Sequence, residues 1–331
     1  MNIKNKRLMI TALLLAGAIA WAVLSVRPAE AGNQSQPVDF SKFSGPYLGQ
    51  KPPGMTPELF EFTSRIGGPV FSPDGKELIF RGPKGLMVAT MKNGRWTEPR
   101  AAGFSGGDLN YSPDGRKLFF SSNNPLQKDV PPLKHMDLWI VERTETGWTE
   151  PANLGPSVNS EQHESWASMA ENGNLYFFRD GGGGTAQTAG GGFVVGGASG
   201  GTPRAVDIYC SKFQDGRYAP PEKLGPEINS DAADLDPSVA PDESYVVFHS
   251  NRPGGFGQMD LYISFRKGDG SWTPAVNMGD KINSAGSEGS GRVSGDGKYF
   301  FFNKSNIQTR TGGRYWVSAK IFDELRKSAI R

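Results

Sequence analysis

The sequence predicts an all-β fold: a β-propeller of about five four-stranded blades, its ring closed by an N-terminal strand. Three observations predict it. First, 44 glycines and 24 prolines in 331 residues, roughly 13% and 7% against usual values near 7% and 5%, require many turns and exclude a helical bundle. Second, a strand–turn–strand marker recurs along the chain. Third, the same four-part order of short strands follows each marker, as it does in propeller blades.

The marker is clearest as Val70-Phe71-Ser72-Pro73-Asp74-Gly75 and Asn110-Tyr111-Ser112-Pro113-Asp114-Gly115. Weaker copies are Ala170-Glu171-Asn172-Gly173, Ala240-Pro241-Asp242-Glu243 and Ser294-Gly295-Asp296-Gly297. Proline presets φ at the first corner, Asp or Asn tolerates the second, and glycine accepts positive φ before the next strand. Apolar second strands follow at Glu77–Phe80, Lys117–Phe120, Asn174–Phe178, Ser244–Phe248 and Lys298–Phe302. Third strands open at Asp137-Leu138-Trp139, Asp207-Ile208-Tyr209 and Asp260-Leu261-Tyr262, with Gly85-Leu86-Met87 and Arg314-Tyr315-Trp316 as their counterparts. A tight turn with an aromatic residue then leads to a fourth strand, as in Asp269-Gly270-Ser271-Trp272 before Pro274–Gly279. The fifth unit lacks that fourth strand, and Pro57–Phe62 has the strand character to supply it.

Four segments lie outside the repeat, which spans residues 57–320. Residues 1–31 read as a signal peptide: Lys4, Lys6 and Arg7 precede the uncharged apolar run Leu8–Val26, and Ala29-Glu30-Ala31 is an A-x-A cleavage site. The run is long enough to span a bilayer, so an uncleaved anchor is the alternative. Either way the rest of the chain is expected to be periplasmic or secreted, touching membrane only through such an anchor. Residues 32–56 form a Pro/Gly-rich tether. Gly181–Gly201, with 11 glycines in 21 residues, is a loop insertion expected to be mobile. Residues 321–331 are a tail with helical character.

Without residues 1–31 the chain holds 32 basic and 33 acidic residues, which leaves no basic excess for nucleic acid. The single cysteine, Cys210, excludes an intrachain disulfide framework. The three histidines, His135, His163 and His249, share no metal-ligand spacing.

The repeat resembles the WD40-like propeller repeat of the TolB type. Unit four carries that pattern almost entire, from Asp234 through Ser250-Asn251-Arg252-Pro253-Gly254-Gly255 and Asp260-Leu261-Tyr262 to Ile282-Asn283-Ser284. The resemblance implies an extracytoplasmic propeller, most often a protein- or ligand-binding module of the cell envelope. The chain departs from TolB in that no separate α/β domain fits ahead of unit one. The repeat itself specifies fold rather than function.

Candidate functional residues come from the first strand of each unit, the innermost in a propeller. Six residues before the turn stand Glu164, Asp234 and Glu288, and two residues on stand Asp108 and Asp236. Strict strand alternation puts both offsets on one face, so these five carboxylates are expected at one mouth of the central channel. Three roles are open to them. They brace neighbouring blades, with Arg179, Arg252 and Arg292 as candidate partners; they bind a basic partner or a divalent cation; or two of them act as catalytic carboxylates in a carbohydrate-active hydrolase or lyase. No cofactor beyond such a cation is implied. The expected function is a monomeric binding module for an envelope protein or peptide, or for an oligosaccharide; Trp166 and Tyr111 near the same mouth either stack on a sugar or, the stronger expectation, pack buried between blades.

Overall fold

The computed structural model describes residues 38–61, 67–82, 84–180, 185–187, 193–195, 206–306, 309 and 311–329. The expected signal or anchor at residues 1–31 lies outside them. No helix among the described residues is long and apolar enough to cross a membrane.

Five antiparallel sheets form the ring, which is the expected five-bladed propeller. The first blade runs from the centre outward as Gly67–Phe71, Glu77–Gly82, Gly85–Lys92 and Arg100–Ala101. The second is Gly107–Tyr111, Lys117–Ser122, Asp137–Glu142 and Ala152–Asn153. The third is His163–Met169, Leu175–Asp180, Val206–Ser211 and Glu222–Lys223. The fourth is Asp234–Val239, Tyr245–Ser250, Asp260–Phe265 and Val276–Asn277. The fifth takes Ser287–Val293, Tyr299–Asn306 and Thr311–Ser318 from the end of the chain and Glu58–Leu59 from its beginning. The closing strand pairs Glu58 with Trp316 and Leu59 with Tyr315, and the Phe60 amide donates to the Arg314 carbonyl at 2.8 Å.

The repeated turn is locked by its own side chains. Ser72 Oγ donates to the Asp74 carboxylate at 2.6 Å and accepts from the Glu77 amide at 2.9 Å; Ser112 and Ser294 repeat both contacts. Gly75 sits at φ 67, where a side chain is disfavoured. Unit four puts Glu243 at that corner with φ 56, and its carboxylate accepts from Asn172, Asn174 and Tyr176 of the third blade. A second device joins consecutive blades. Asn159, Asn229 and Asn283 each exchange two hydrogen bonds with the backbone of Leu138, Ile208 and Leu261, on the third strand of the preceding blade. The central aromatics of the second strands, among them Phe119, Phe177, Phe248 and Phe302, are fully buried between blades.

Residues 39–50, expected within the tether, are packed onto the ring instead. Phe40 is buried and stacks on Phe80 with centroids 5.3 Å apart, while Tyr47 lies against Phe71, Tyr299, Phe301 and Trp316. Counting prolines and glycines passes over these apolar anchors, whose burial fixes the segment. The helix Ile321–Ala329 likewise docks, through Ile321 and Phe322, against Tyr245 and Phe300. Within the Gly-rich insertion Thr185–Gln187 pairs with Phe193–Val195 as a short hairpin, and the rest of the insertion lies outside the described residues.

Candidate functional site

All five innermost strands carry the same irregularity. The pairing register slips between Gly67 and Val70, Gly107 and Asn110, Ser165 and Ser168, Leu235 and Ser238, and Gly289 and Arg292. Each bulge holds one residue in the left-handed region: Gly68, Asp108, Trp166, Asp236 and Ser290, with φ from 49 to 59. A bulge interrupts period-two alternation and re-aims side chains. The offsets six and four residues before the turn therefore do not share a face, and the five expected acids divide into two groups.

Glu164, Asp234 and Glu288 do not reach the channel mouth. They are 0%, 0% and 1% exposed, and each is held by the serine four residues ahead of it. Ser160, Ser230 and Ser284 donate both amide and hydroxyl to them. Arg179 completes the set for Glu164 and Arg252 for Asp234, both at 2.6 Å. The two arginines also donate to the Val158 and Ile228 carbonyls, tying the crossing chain to the blade it enters. Burial raises the pKa of Glu164 and Glu288, opposed by the serines and by Arg179 and Lys304 respectively. These three acids are braces. Asp137, Asp207 and Asp260, which recur with the fold, are also held locally: Asp137 by Asn153, Asp207 by Lys223, and Asp260 by Asn277 and the amides of Phe256 and Gly257.

Asp108 lines the inner end of the channel, and Asp236 lies close behind it, near enough to act on Asp108 and against Ser290 and Arg292. They come from the second and fourth blades and converge with Trp166 of the third and Ser290, Arg292 and Arg314 of the fifth. Asp108, Trp166, Ser290 and both arginines line a cavity of ≈ 300 Å³, rimmed by Gly68, Arg81, Leu86 and Asn303. It opens on the face where first strands begin and second strands end, which also carries the 123–136 loop. A second cavity of ≈ 150 Å³ opens on the opposite face among the repeated turns. Val70, Arg292 and Arg314 line both, so these three side chains stand between them.

Electrostatically this end of the channel is unsettled. Burial lifts Asp108 to about 7, reinforced by the charge of Asp236 and opposed by Arg292 and the Ser121 and Ser165 hydroxyls. Burial lifts Asp236 to about 7 as well, against Arg292 and Ser290. Burial pulls Arg292 down to about 10 despite both aspartates, and burial plus the neighbouring Arg292 charge pulls Arg314 down to about 9. His249 Nε2 lies 3.8 Å from Asp236, and burial drops this imidazole to about 4, so it is neutral. The Arg292 guanidinium sits 4.0 Å from the centre of the Trp166 ring. Yet Arg292 Nε and Trp166 Nε1 are both buried without a hydrogen-bond partner, a state that native proteins rarely leave unmatched. Among the described residues no group of three or more His, Cys, Asp or Glu side chains could hold a metal ion.

Several site residues were not singled out by sequence reasoning. Ser290 and Gly68 become visible only when the position four residues before the turn is compared in all five units. Arg314 is displaced by one residue from its expected place: Tyr315 pairs with Phe302 as Trp139 pairs with Phe120, so Arg314 occupies the position of Leu138 rather than that of Asp137. Tyr111 leaves the channel mouth and donates to Glu77 at 2.9 Å, in a cluster with Arg143 between the first two blades. Cys210 is buried in the third blade, and burial raises its thiol to about 11.

No family model matches the chain, and no curated protein matches it. Among solved structures it is similar to a candidate TolB from Agrobacterium tumefaciens, at 17% identity over 73% of this chain and 70% of that one, with a TM-score of 0.45. It is also similar to a gluconolactonase from Xanthomonas campestris, at 16% identity over 76% and 70% of the two chains, TM-score 0.39. A third is hydrazine synthase from Kuenenia stuttgartiensis, at 12% identity over 71% and 60%, TM-score 0.39. At these identities the likeness is one of fold alone.

Proposed function

We propose that this chain is an exported, propeller-type binding protein of the cell envelope that takes a small polar ligand into the loop-side end of its channel. The observation that carries this reading is the pair of buried, unpartnered donors, Trp166 Nε1 and Arg292 Nε, beside a ≈ 300 Å³ cavity. At about 30 Å³ per water that space takes roughly ten waters or one small molecule. Export is supported by the basic, apolar and A-x-A segments of residues 1–31. Glu164, Asp234 and Glu288 are spent on bracing, so ligand recognition falls to Asp108, Asp236, Trp166, Arg292 and Arg314.

The test is a thermal-shift screen of the purified protein against divalent cations, neutral and acidic sugars and short basic peptides, with Asp108→Asn and Arg292→Gln as variants. The expected result is a ligand-dependent rise in Tm that both variants abolish. A rise that survives both would move the binding site off the channel.

A second reading is favoured by one observation: Asp108 and Asp236 are both held near pH 7, where a carboxyl group serves as either acid or base. In a carbohydrate-active hydrolase or lyase these two would be the working pair. Time-dependent product formation from a stabilising sugar, lost in Asp108→Asn, would establish it; unchanged sugar after prolonged incubation would leave the binding reading.

A further inference from the structure

Resting on that channel reading, we infer that the loop-side cavity is a site for a small organic acid, whose carboxylate is received by Arg292 and Trp166 Nε1. Four buried atoms around this space lack partners: Ser165 Oγ and His249 Nδ1, which can donate or accept, and Trp166 Nε1 and Arg292 Nε, which can only donate and so call for an acceptor. Acceptors native to the site are already engaged: Asp236 faces the amide and hydroxyl of Ser290, and Asp108 faces the Ser121 hydroxyl. An ammonium only adds donors, and a hydroxyl can accept but brings a donor of its own, whereas a carboxylate brings two purely accepting oxygens and meets a guanidinium edge in the geometry it prefers. Charge agrees with the hydrogen-bond count. Arg314 is close enough to Arg292 to feel its charge, and a bound anion relieves that repulsion.

The titratable and charged groups lining this space are Asp108, Arg292 and Arg314, with Arg81 at the rim, where it donates to the Gly106 carbonyl at 3.2 Å, and Asp236 and His249 lie behind them. His249 is neutral and the arginines are cationic throughout the neutral range, so the two aspartates set the pH response. An incoming carboxylate beside them favours their protonated forms. Protons are therefore taken up on binding, and affinity rises as pH falls through about 7.

The experiment is isothermal titration of the purified protein with D-glucuronate, malate, D-glucose and D-glucosamine at pH 5.5 and 8.5 and constant ionic strength. At least one of the two acids is expected to bind tenfold or more tightly than either neutral or cationic sugar, and tenfold or more tightly at pH 5.5 than at pH 8.5. Trp166→Phe, which removes the indole N–H along with part of a buried ring, is expected to weaken it several-fold with only a modest fall in Tm in the absence of ligand. The double variant Asp108→Asn/Asp236→Asn is expected to bind at pH 8.5 as tightly as the unaltered protein does at pH 5.5. Preferential binding of glucosamine, tightening as pH rises, would overturn the ligand class while leaving the channel site standing. Failure of all four compounds to bind would remove both.

Discussion

Asp234 and Asp236 stand two residues apart on one strand and end on opposite sides of it. Asp234 is sealed against Arg252, Ser230 and the chain crossing between blades; Asp236 lies against Ser290, Arg292 and His249, behind the channel wall. Removing one member of a buried ion pair leaves the other charge uncompensated, at a cost of about 3–5 kcal/mol. Asp234→Ala and Glu164→Ala are therefore expected to lose stability of that order in urea unfolding, with the channel chemistry unaltered. The channel aspartates act in the opposite sense. Their folded values near 7 lie above the ~3.9 of an unfolded aspartate, so between the two the folded state holds more protons and stability falls as pH rises. Asp108→Asn/Asp236→Asn is expected to flatten the decline in Tm between pH 5 and pH 8, and to melt higher than the unaltered protein at pH 8. A steeper decline in the variant would show that the carboxylates are stabilising as anions. The acids themselves were readable from their repeated offsets. Their division was not, because which way each points depends on backbone dihedrals that no residue type announces.

The element that makes this division is the bulged innermost strand. Its turn was visible in advance, since Ser, Pro, Asp and Gly each have a fixed task there. The bulge was not, because its left-handed position is filled by Gly, Asp, Trp, Asp and Ser in successive blades. Left-handed backbone costs a non-glycine residue roughly 1–2 kcal/mol, so four of the five blades carry strain at the channel wall, where strain often accompanies function. A Cβ at Gly68 would meet nothing within 4 Å, which makes Gly68→Ala a measure of backbone strain alone: a loss of about 1 kcal/mol is expected in chemical denaturation. The reverse change, Ser290→Gly, is expected to be neutral or stabilising by up to about 1 kcal/mol. If both changes destabilise equally, the Ser290 hydroxyl outweighs the dihedral. The third strand of the fifth blade misled for a related reason. Arg314-Tyr315-Trp316 matches the D-L-Y pattern in shape, but the observed pairing sets Tyr315, not Trp316, opposite Phe302.

At the scale of the molecule, the blade number and the closure were both readable from counting. Five markers were present, and the fifth unit lacked one outer strand that only the segment ahead of unit one could replace. The packing of residues 39–50 was not, since two apolar anchors, Phe40 and Tyr47, in a Pro/Gly-rich stretch give no periodic signal. Closure concentrates at Phe60, fully buried against Phe71, Phe301 and Trp316, so it joins the first blade to the fifth. Phe60→Ala is expected to cost about 3–5 kcal/mol and to do so cooperatively, with all probes of unfolding shifting together. A separate early transition would mean that the ring tolerates an open seam.

The clasp between Glu58–Leu59 and Thr311–Ser318 also fixes an order in time. During synthesis the outer half of the clasp appears first and its mate about 250 residues later, and bringing ends so far apart together costs on the order of 5 kcal/mol of chain entropy. Until the last strands emerge, the nascent chain has two unmatched blade flanks, each with exposed backbone able to pair with a stranger. The period of greatest danger is therefore just before Thr311–Ser318 emerge, and a chain cut short within the fifth blade would be an arc rather than a ring.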